Sequence, residues 1–154
     1  VLPYLQISTS IGIYDTYLIV LLMYVLKFSP LALFMLMTFI SELPTEIEEA
    51  AHVDGASTLK IFTSIVVPLI APGLAATAAF IMIYSWSDYI FVLFLTARNV
   101  SNIQLEIAKF NAEYYIEWGP LLAGSIISIL PVILLVALVQ KSMIKGLTLG
   151  AIKG

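Results

Sequence analysis

Lys27 and Asp88 are the side chains best placed to do chemistry, because each interrupts a long apolar run. An ionisable group at the centre of a spanning helix costs about 2.5–3.5 kcal/mol on insertion scales, so it usually meets protein or water. At 1.5 Å per helical residue, Lys27 lies roughly 20 Å from the Ile40 end of its run and Asp88 roughly 23 Å from the Gly73 end of its own. Depths that close allow a pair, direct or through water. Three roles stay open on these residues alone. They could line a polar path for a hydroxyl-rich solute, form a structural ion pair, or snorkel to the outer interface, for which lysine has the longer stem. Trp86 and Tyr89 flank Asp88, and their aromatic faces suit sugar rings as well as they suit core packing.

Covalent chemistry has little to work with. The chain has no cysteine, which excludes disulfides, thiolate metal sites and cysteine nucleophiles. The single histidine, His52, cannot build a histidine-rich metal site. No serine of the apolar runs has a histidine in helical register, so an intramembrane hydrolase lacks its nucleophile–base pair. There is no Gly-rich phosphate loop, and the chain is expected to bind no ATP by itself, no other cofactor and no metal.

The elements that must position Lys27 and Asp88 follow from the composition. Apolar residues make up 61% of the 154 and charged residues 11%, against about 25% charged in an ordinary soluble domain. Lipid is the simpler solvent for such a chain. A net charge of −3 offers no basic face for nucleic acid. Three runs reach the roughly 20 apolar residues that a crossing needs, at about 16–40, 73–97 and 120–139. Backbone polar groups must be satisfied internally in lipid, and the runs do not alternate as barrel strands would, so the expected fold is an all-α membrane bundle. Pro30 and Pro131 are expected to kink their helices. Gly124 and Ser128, one turn apart, form a small-residue face suited to close helix approach. Val1 to Ile13 reads either as the tail of a truncated helix or as an ordinary N-terminus, and no signal peptide is recognisable.

Orientation follows from lysine and arginine counts. Lys60 in the loop at 41–72 and Lys141, Lys145 and Lys153 in the tail at 140–154 fall on one side of three crossings. Arg98 and Lys109, in the loop at 98–118, fall on the other. The excess places the 41–72 loop and the tail in the cytoplasm. Trp118, with Tyr114 and Tyr115 close by, suits the outer interface.

The 41–72 loop is not a random connector. Thr45 followed by Glu48 reads as a capping box, and Glu46, Glu48 and Glu49 favour the positive end of a helix. Gly55 can end that helix in a left-handed conformation. Ser57 can cap a second short helix that Pro68 stops. Ala50 and Ala51 let a partner approach the backbone, while Ile47, Val53 and Leu59 offer apolar contact. The loop could also lie on its own bundle or on lipid headgroups. A membrane-surface helix usually carries basic residues, so the acidic face favours a protein partner.

Glu49-Ala50-Ala51, then Gly55, then Ile65-Val66-Val67-Pro68 resembles the EAA motif of permease subunits of binding-protein-dependent ABC importers, with Val67 where leucine is usual. Trp86-Ser87-Asp88-Tyr89 resembles the Trp-Asn-Glu/Asp-Phe element of carbohydrate permeases, with Ser87 in place of asparagine. The ending Gly146 to Gly154, together with Trp118-Gly119 and Leu130-Pro131, resembles the maltose-type sugar permeases. The resemblance covers nearly the whole chain and implies the C-terminal portion of a type I permease. It implies a coupling helix in which Glu49, Ala50, Ala51, Asp54 and Gly55 fit a groove on a cytoplasmic ATPase subunit, where ATP is hydrolysed. It also implies a second, related but non-identical permease, an extracytoplasmic sugar-binding protein, the cytoplasmic membrane of a prokaryote, and alternating access. Asp88, Trp86, Tyr89 and Lys27 are the candidates for the solute path. The rivals are a secondary transporter or channel using Lys27 and Asp88 as an intramembrane ion site, an importer permease for a non-sugar solute, and a purely structural bundle.

Overall fold

The computed structural model describes residues 1–111 and 115–149, with residues 141–149 described by their backbone. The expected positions of Tyr114 and of 150–154, including Lys153, lie outside the described residues. Among those described, the elements are helices, plus one isolated bridge between Asn111 and Ile116. In order they are α1 (Leu2–Ser10), α2 (Tyr17–Ser41), α3 (Thr45–Val53), α4 (Thr58–Ile61), a π-helical turn (Phe62–Val66), α5 (Val67–Leu69), α6 (Ala71–Trp86), α7 (Ile90–Leu95), α8 (Ile103–Ala108) and α9 (Trp118–Leu149).

Two helices are long and apolar enough to cross a bilayer, Tyr17–Ser41 and the Trp118–Gln140 part of α9. Both carry apolar side chains that are mostly exposed, such as Leu21, Phe34, Ile126 and Leu134. A surface of that kind suits lipid or another apolar helix. Pro30 lies inside α2 and Pro131 inside α9. Pro30 cannot donate to the Leu26 carbonyl one turn back, and the Ser29 hydroxyl reaches that oxygen instead, at 3.4 Å. Re-satisfaction of this kind is how spanning helices tolerate proline. α9 runs ten residues past the expected end at 139 and reaches Leu149, and the outer loop expected at 98–118 carries α8.

The run at 73–97 is not one helix. α6 ends at Trp86, residues 87–89 leave the helical path, and the six-residue α7 follows. At the break the Asp88 carbonyl accepts from the Asn102 side chain rather than from a helical N–H. α6 is preceded by Thr58–Leu69, and the two meet at a bend of 71°. The helix expected to stop at Pro68 does not stop there. A proline ring clashes with the carbonyl four residues back in a regular helix. The wider π turn lies immediately before it and places Pro68 in the first turn of α5, where it is tolerated.

The chain forms two compact units. The first comprises Val1–Ser29 and Met82–Leu135; the second comprises Pro30–Ile81 and α9 from Val136. In the first, Ile19, Met23 and Leu95 form a buried core with Leu5, Ile13, Val20 and Phe91 against it. Gly124 lets the Ile107 side chain approach so closely that a Cβ there would lie 2.9 Å from it. In the second, Ala51, Ile61 and Val66 are buried together under Leu43, Ala56 and Ile65. Gly73 faces the Phe39 ring, which occupies the space any side chain would need.

The first unit also holds a clamp that nothing in the local sequence pattern announces. Asp15, at φ 58°, is in the left-handed region that Asp tolerates better than most residues. Its carboxylate accepts from the backbone N–H groups of Ala97 at 2.8 Å, Arg98 at 3.0 Å, Asn99 at 3.0 Å and Val100 at 3.2 Å. Its own N–H donates to the Leu95 carbonyl, and the Tyr14 hydroxyl donates to that of Thr96. The Ala97 N–H above all, then those of Arg98, Asn99 and Val100, holds the carboxyl down to about 2 from 3.8, with burial pulling the other way. Because the folded value is the lower one, the clamp contributes fully above about pH 4 and is lost as pH falls toward 2. Asp15→Asn is expected to speed hydrogen exchange at amides 97–100 by roughly tenfold at pH 7. That gap should close near pH 2. An unchanged exchange rate at pH 7 would show that the clamp holds nothing in place.

Candidate functional site

The intramembrane site belongs to the first unit. Lys27 Nζ lies 2.6 Å from Asp88 Oδ1, with the Asp88 side chain 5% exposed and that of Lys27 34%. The ammonium also stands 4.5 Å from the centre of the Phe91 ring and 5.2 Å from that of Phe28, within cation–π range. Of the roles open to these residues, the ion pair is the one the geometry displays, with Lys27 turned to Asp88. An ion pair compensates each charge where neither would be tolerated alone.

Three tethers hold the break around Asp88. Lys27 of α2 takes Oδ1. The Asn102 amide donates to the Asp88 carbonyl while its own oxygen accepts from the Leu105 N–H at 3.0 Å, capping α8. The Trp86 indole N–H donates to the Ser128 carbonyl of α9 at 3.0 Å. Asp88 Oδ2 is buried without a hydrogen-bond partner.

The structure joins Lys27 to Asp88, while Trp86 and Tyr89 border two separate cavities. Trp86 borders a cavity of about 370 Å³ with Tyr17, Val20, Tyr24, Ser85 and Asn102. Tyr89 borders a separate one of about 290 Å³ with Leu93, Thr96, Leu105 and Lys109. Asn102 and Asp15 are the tethering residues that sequence reasoning missed. Asn102 carried a signal, since an Asn just before an apolar helical run is an N-cap pattern.

The acidic loop belongs to the second unit. Pro44, with φ −62° and ψ 130°, occupies the N-cap position of α3, and no side chain caps it. The capping box expected from Thr45 and Glu48 is therefore absent. Pro44 starts the helix one residue early, leaving Thr45 inside the first turn and Glu48 too far along. The other end is as expected. Gly55 has φ 77°, its N–H donates to the His52 carbonyl, and the Ala56 N–H donates to that of Ala51. Together these two bonds make a Schellman motif. Ser57 caps α4 by accepting from the Lys60 N–H.

This turn sorts the motif residues by face. Glu49, Ala50, Asp54 and Gly55 are exposed. Ala51 is 8% exposed and packs with Ile61 and Val66, so it does not offer the bare approach expected of it. Val53 is 88% exposed and Leu59 72%. Nothing lies within 4 Å of where a Cβ on Gly55 would be. The exposed face is thus apolar at Val53 and Leu59, acidic at Glu49 and Asp54, and bare at Ala50 and Gly55.

Residues 1–144 match the family described as the binding-protein-dependent transport system inner membrane component. The chain is 36% identical to the trehalose transport system permease protein SugB of Mycobacterium tuberculosis, over all of this chain and 57% of that one. It is 38% identical to the trehalose/maltose transport system permease protein MalG of Thermococcus litoralis, over 94% of this chain and 53% of that one. It is also 38% identical to the inner membrane ABC transporter permease protein YcjP of Escherichia coli, over all of this chain and 55% of that one. The chain thus spans a little over half the length of these relatives.

Proposed function

Because the chain belongs to the family of inner-membrane components of binding-protein-dependent transport systems, we propose that it serves in the membrane-spanning permease subunit of an ATP-driven carbohydrate importer. The observation that carries this reading is the α3–Gly55–α4 turn, whose bare, acidic and apolar positions share one exposed face at the spacing of the family's coupling motif. Glu49, Ala50, Asp54 and Gly55 dock on a cytoplasmic ATPase subunit, and Ala51 holds the turn together from inside. ATP is hydrolysed on that partner, and this chain binds no ATP or other cofactor. The turn and the α9 tail face the cytoplasm of a prokaryotic cell. A second, related permease completes the path, and an extracytoplasmic sugar-binding protein delivers the solute.

Closure of the ATPase subunits moves the docked turn and favours one access state over the other. Such a shift requires a differential affinity for the two states, and here the ATPase interface supplies it. Lys27, Asp88 and Trp86 lie beside the solute path, and Tyr89 faces a second part of it. The choice of carbohydrate rests on the names of the relatives. An ion-coupled carrier is the weaker reading, because the Lys27 ammonium already offsets the carboxylate charge that would hold a cation.

The assembled transporter, reconstituted in vesicles with its binding protein, tests this directly. Uptake of labelled trehalose or maltose is expected to require ATP and to survive collapse of ion gradients. Uptake that ignores ATP and stops when the gradients collapse would establish the ion-coupled reading instead. ATP-dependent uptake of a non-carbohydrate alone would keep the importer and replace the cargo.

A further inference from the structure

The π turn at Phe62–Val66 joins α4 to α5 and holds one residue more than an α-helix would. The Val67 N–H reaches back five residues to the Phe62 carbonyl, where an α-helix reaches back four. Such turns are rare and occur mostly at functional sites. What this one achieves is visible in the core of the second unit. Ile61 at 4% exposed and Val66 at 5% both pack with Ala51. In an α-helix, residues five apart are turned about 140° from one another, so one of the two would face away. The wider turn brings both to the same core.

The sequence also contains the alternative. Ile65 follows Ile61 by four positions, the spacing at which side chains share one face of an α-helix. Ile65 is partly buried and already packs against the cluster of Ala51, Ile61 and Val66. Val66 fills the core in the π register, and Ile65 is placed to fill it in an α register. Pro68 sets the balance between them. In an α register its ring would meet the Ser64 carbonyl four residues back, whereas the π turn leaves it in the first turn of α5. The chain by itself therefore rests in the π register.

We propose that the π turn is a two-register switch, in which Ile65 replaces Val66 against Ala51 when the ATPase subunits close. This rests on the reading of α3–Gly55–α4 as the ATPase-docking turn. The exchange moves α5 by one residue relative to that turn, about 100° of rotation and about 1.5 Å along the axis. Packed elements change by discrete steps of this kind rather than by continuous deformation. Closure drives the step because the docked partner has unequal affinity for the two registers. Pro68 returns the turn to the π register when the ATPase subunits separate.

The test uses the assembled transporter in vesicles. The chain has no cysteine, so Ile65→Cys and Val66→Cys each give it a single thiol, whose alkylation by N-ethylmaleimide is read by mass spectrometry of this chain. Trapping the ATPase subunits closed with ATP and vanadate is expected to raise alkylation of Val66→Cys and lower that of Ile65→Cys, each at least about threefold. Opposite changes at neighbouring positions mark a register step, whereas shielding or general loosening moves both the same way. Pro68→Ala, added to Val66→Cys, is expected to raise alkylation without nucleotide roughly tenfold, because the clash that favours the π register is gone. Ile65→Ser, which keeps Val66 but removes the occupant of the α register, is expected to lower sugar moved per ATP hydrolysed roughly tenfold, and Ile65→Val to keep it near wild type. Unchanged labelling on trapping, changes of one sign at both positions, or an undiminished ratio in Ile65→Ser overturns the switch and leaves the docking reading standing. A wild-type chain that neither co-purifies with an ATPase subunit nor supports ATP-dependent uptake overturns both.

Discussion

Replacing Lys27 with methionine is expected to destabilise the protein by about 3–5 kcal/mol, and adding Asp88→Leu is expected to return most of that loss. The asymmetry of the pair is the reason. The Asp88 side chain is 5% exposed and that of Lys27 34%. Removing the lysine strands a buried carboxylate, which must stay charged without a partner or take up a proton. Removing both charges leaves an apolar contact beside Phe28 and Phe91. Asp88→Leu alone should be the milder single change, because the freed lysine has a flexible stem with which to reach water. Thermal unfolding of the detergent-solubilised chain measures all three variants. If the Lys27→Met single variant melts no lower than the double variant, the pair is not what holds Asp88 in place.

The second large effect is expected at the acidic turn. Ala50→Trp should weaken binding of the ATPase subunit roughly a hundredfold, the effect of losing a central contact in an interface. Ala50 is exposed on α3, so the bulky side chain points away from the unit's own core and the turn itself should fold. Ala51→Trp should behave differently. Ala51 packs on Ile61 and Val66, so a large ring there disrupts the turn and lowers the helix content and stability of the isolated subunit. Titration of the ATPase subunit against each detergent-solubilised variant, beside circular dichroism, separates the two. An undiminished affinity in Ala50→Trp would remove Ala50 from the docking face.

Much of this molecule is written in local patterns, and those were legible. The apolar runs gave the solvent and the two long helices. Gly55 and Ser57 gave the turn between α3 and α4, because left-handed backbone and N-capping are properties of one or two neighbouring residues. Legibility failed where two local rules competed. Thr45 and Glu48 satisfy the capping-box pattern, but Pro44 has its dihedral preset for the cap position and takes it. Pro68 signals a stop, but a π turn removes the clash that would have enforced one. It also failed where partners are distant in sequence. Equal depth suggested that Lys27 could meet Asp88, but nothing local indicated that the chain would leave its helix there. Asp15 is separated from Ala97 by 82 positions, and hydrophobic periodicity contains no record of that distance. The division of motif residues into exposed Ala50 and buried Ala51 likewise needed the packing of α4 and the π turn to be seen.

The two long-range tethers of the first unit carry a consequence for the order of events during synthesis. Asp88 follows Lys27 by 61 positions. At the usual elongation rate of about 5–20 residues per second, Lys27 waits roughly 3–12 seconds for its counter-charge, and Asp15 waits longer for the amides of 97–100. During that interval α2 has been made with an uncompensated ammonium among apolar neighbours. α2 is therefore expected to settle first with Lys27 near water or headgroups, and to shift only once Asp88 has arrived to neutralise it.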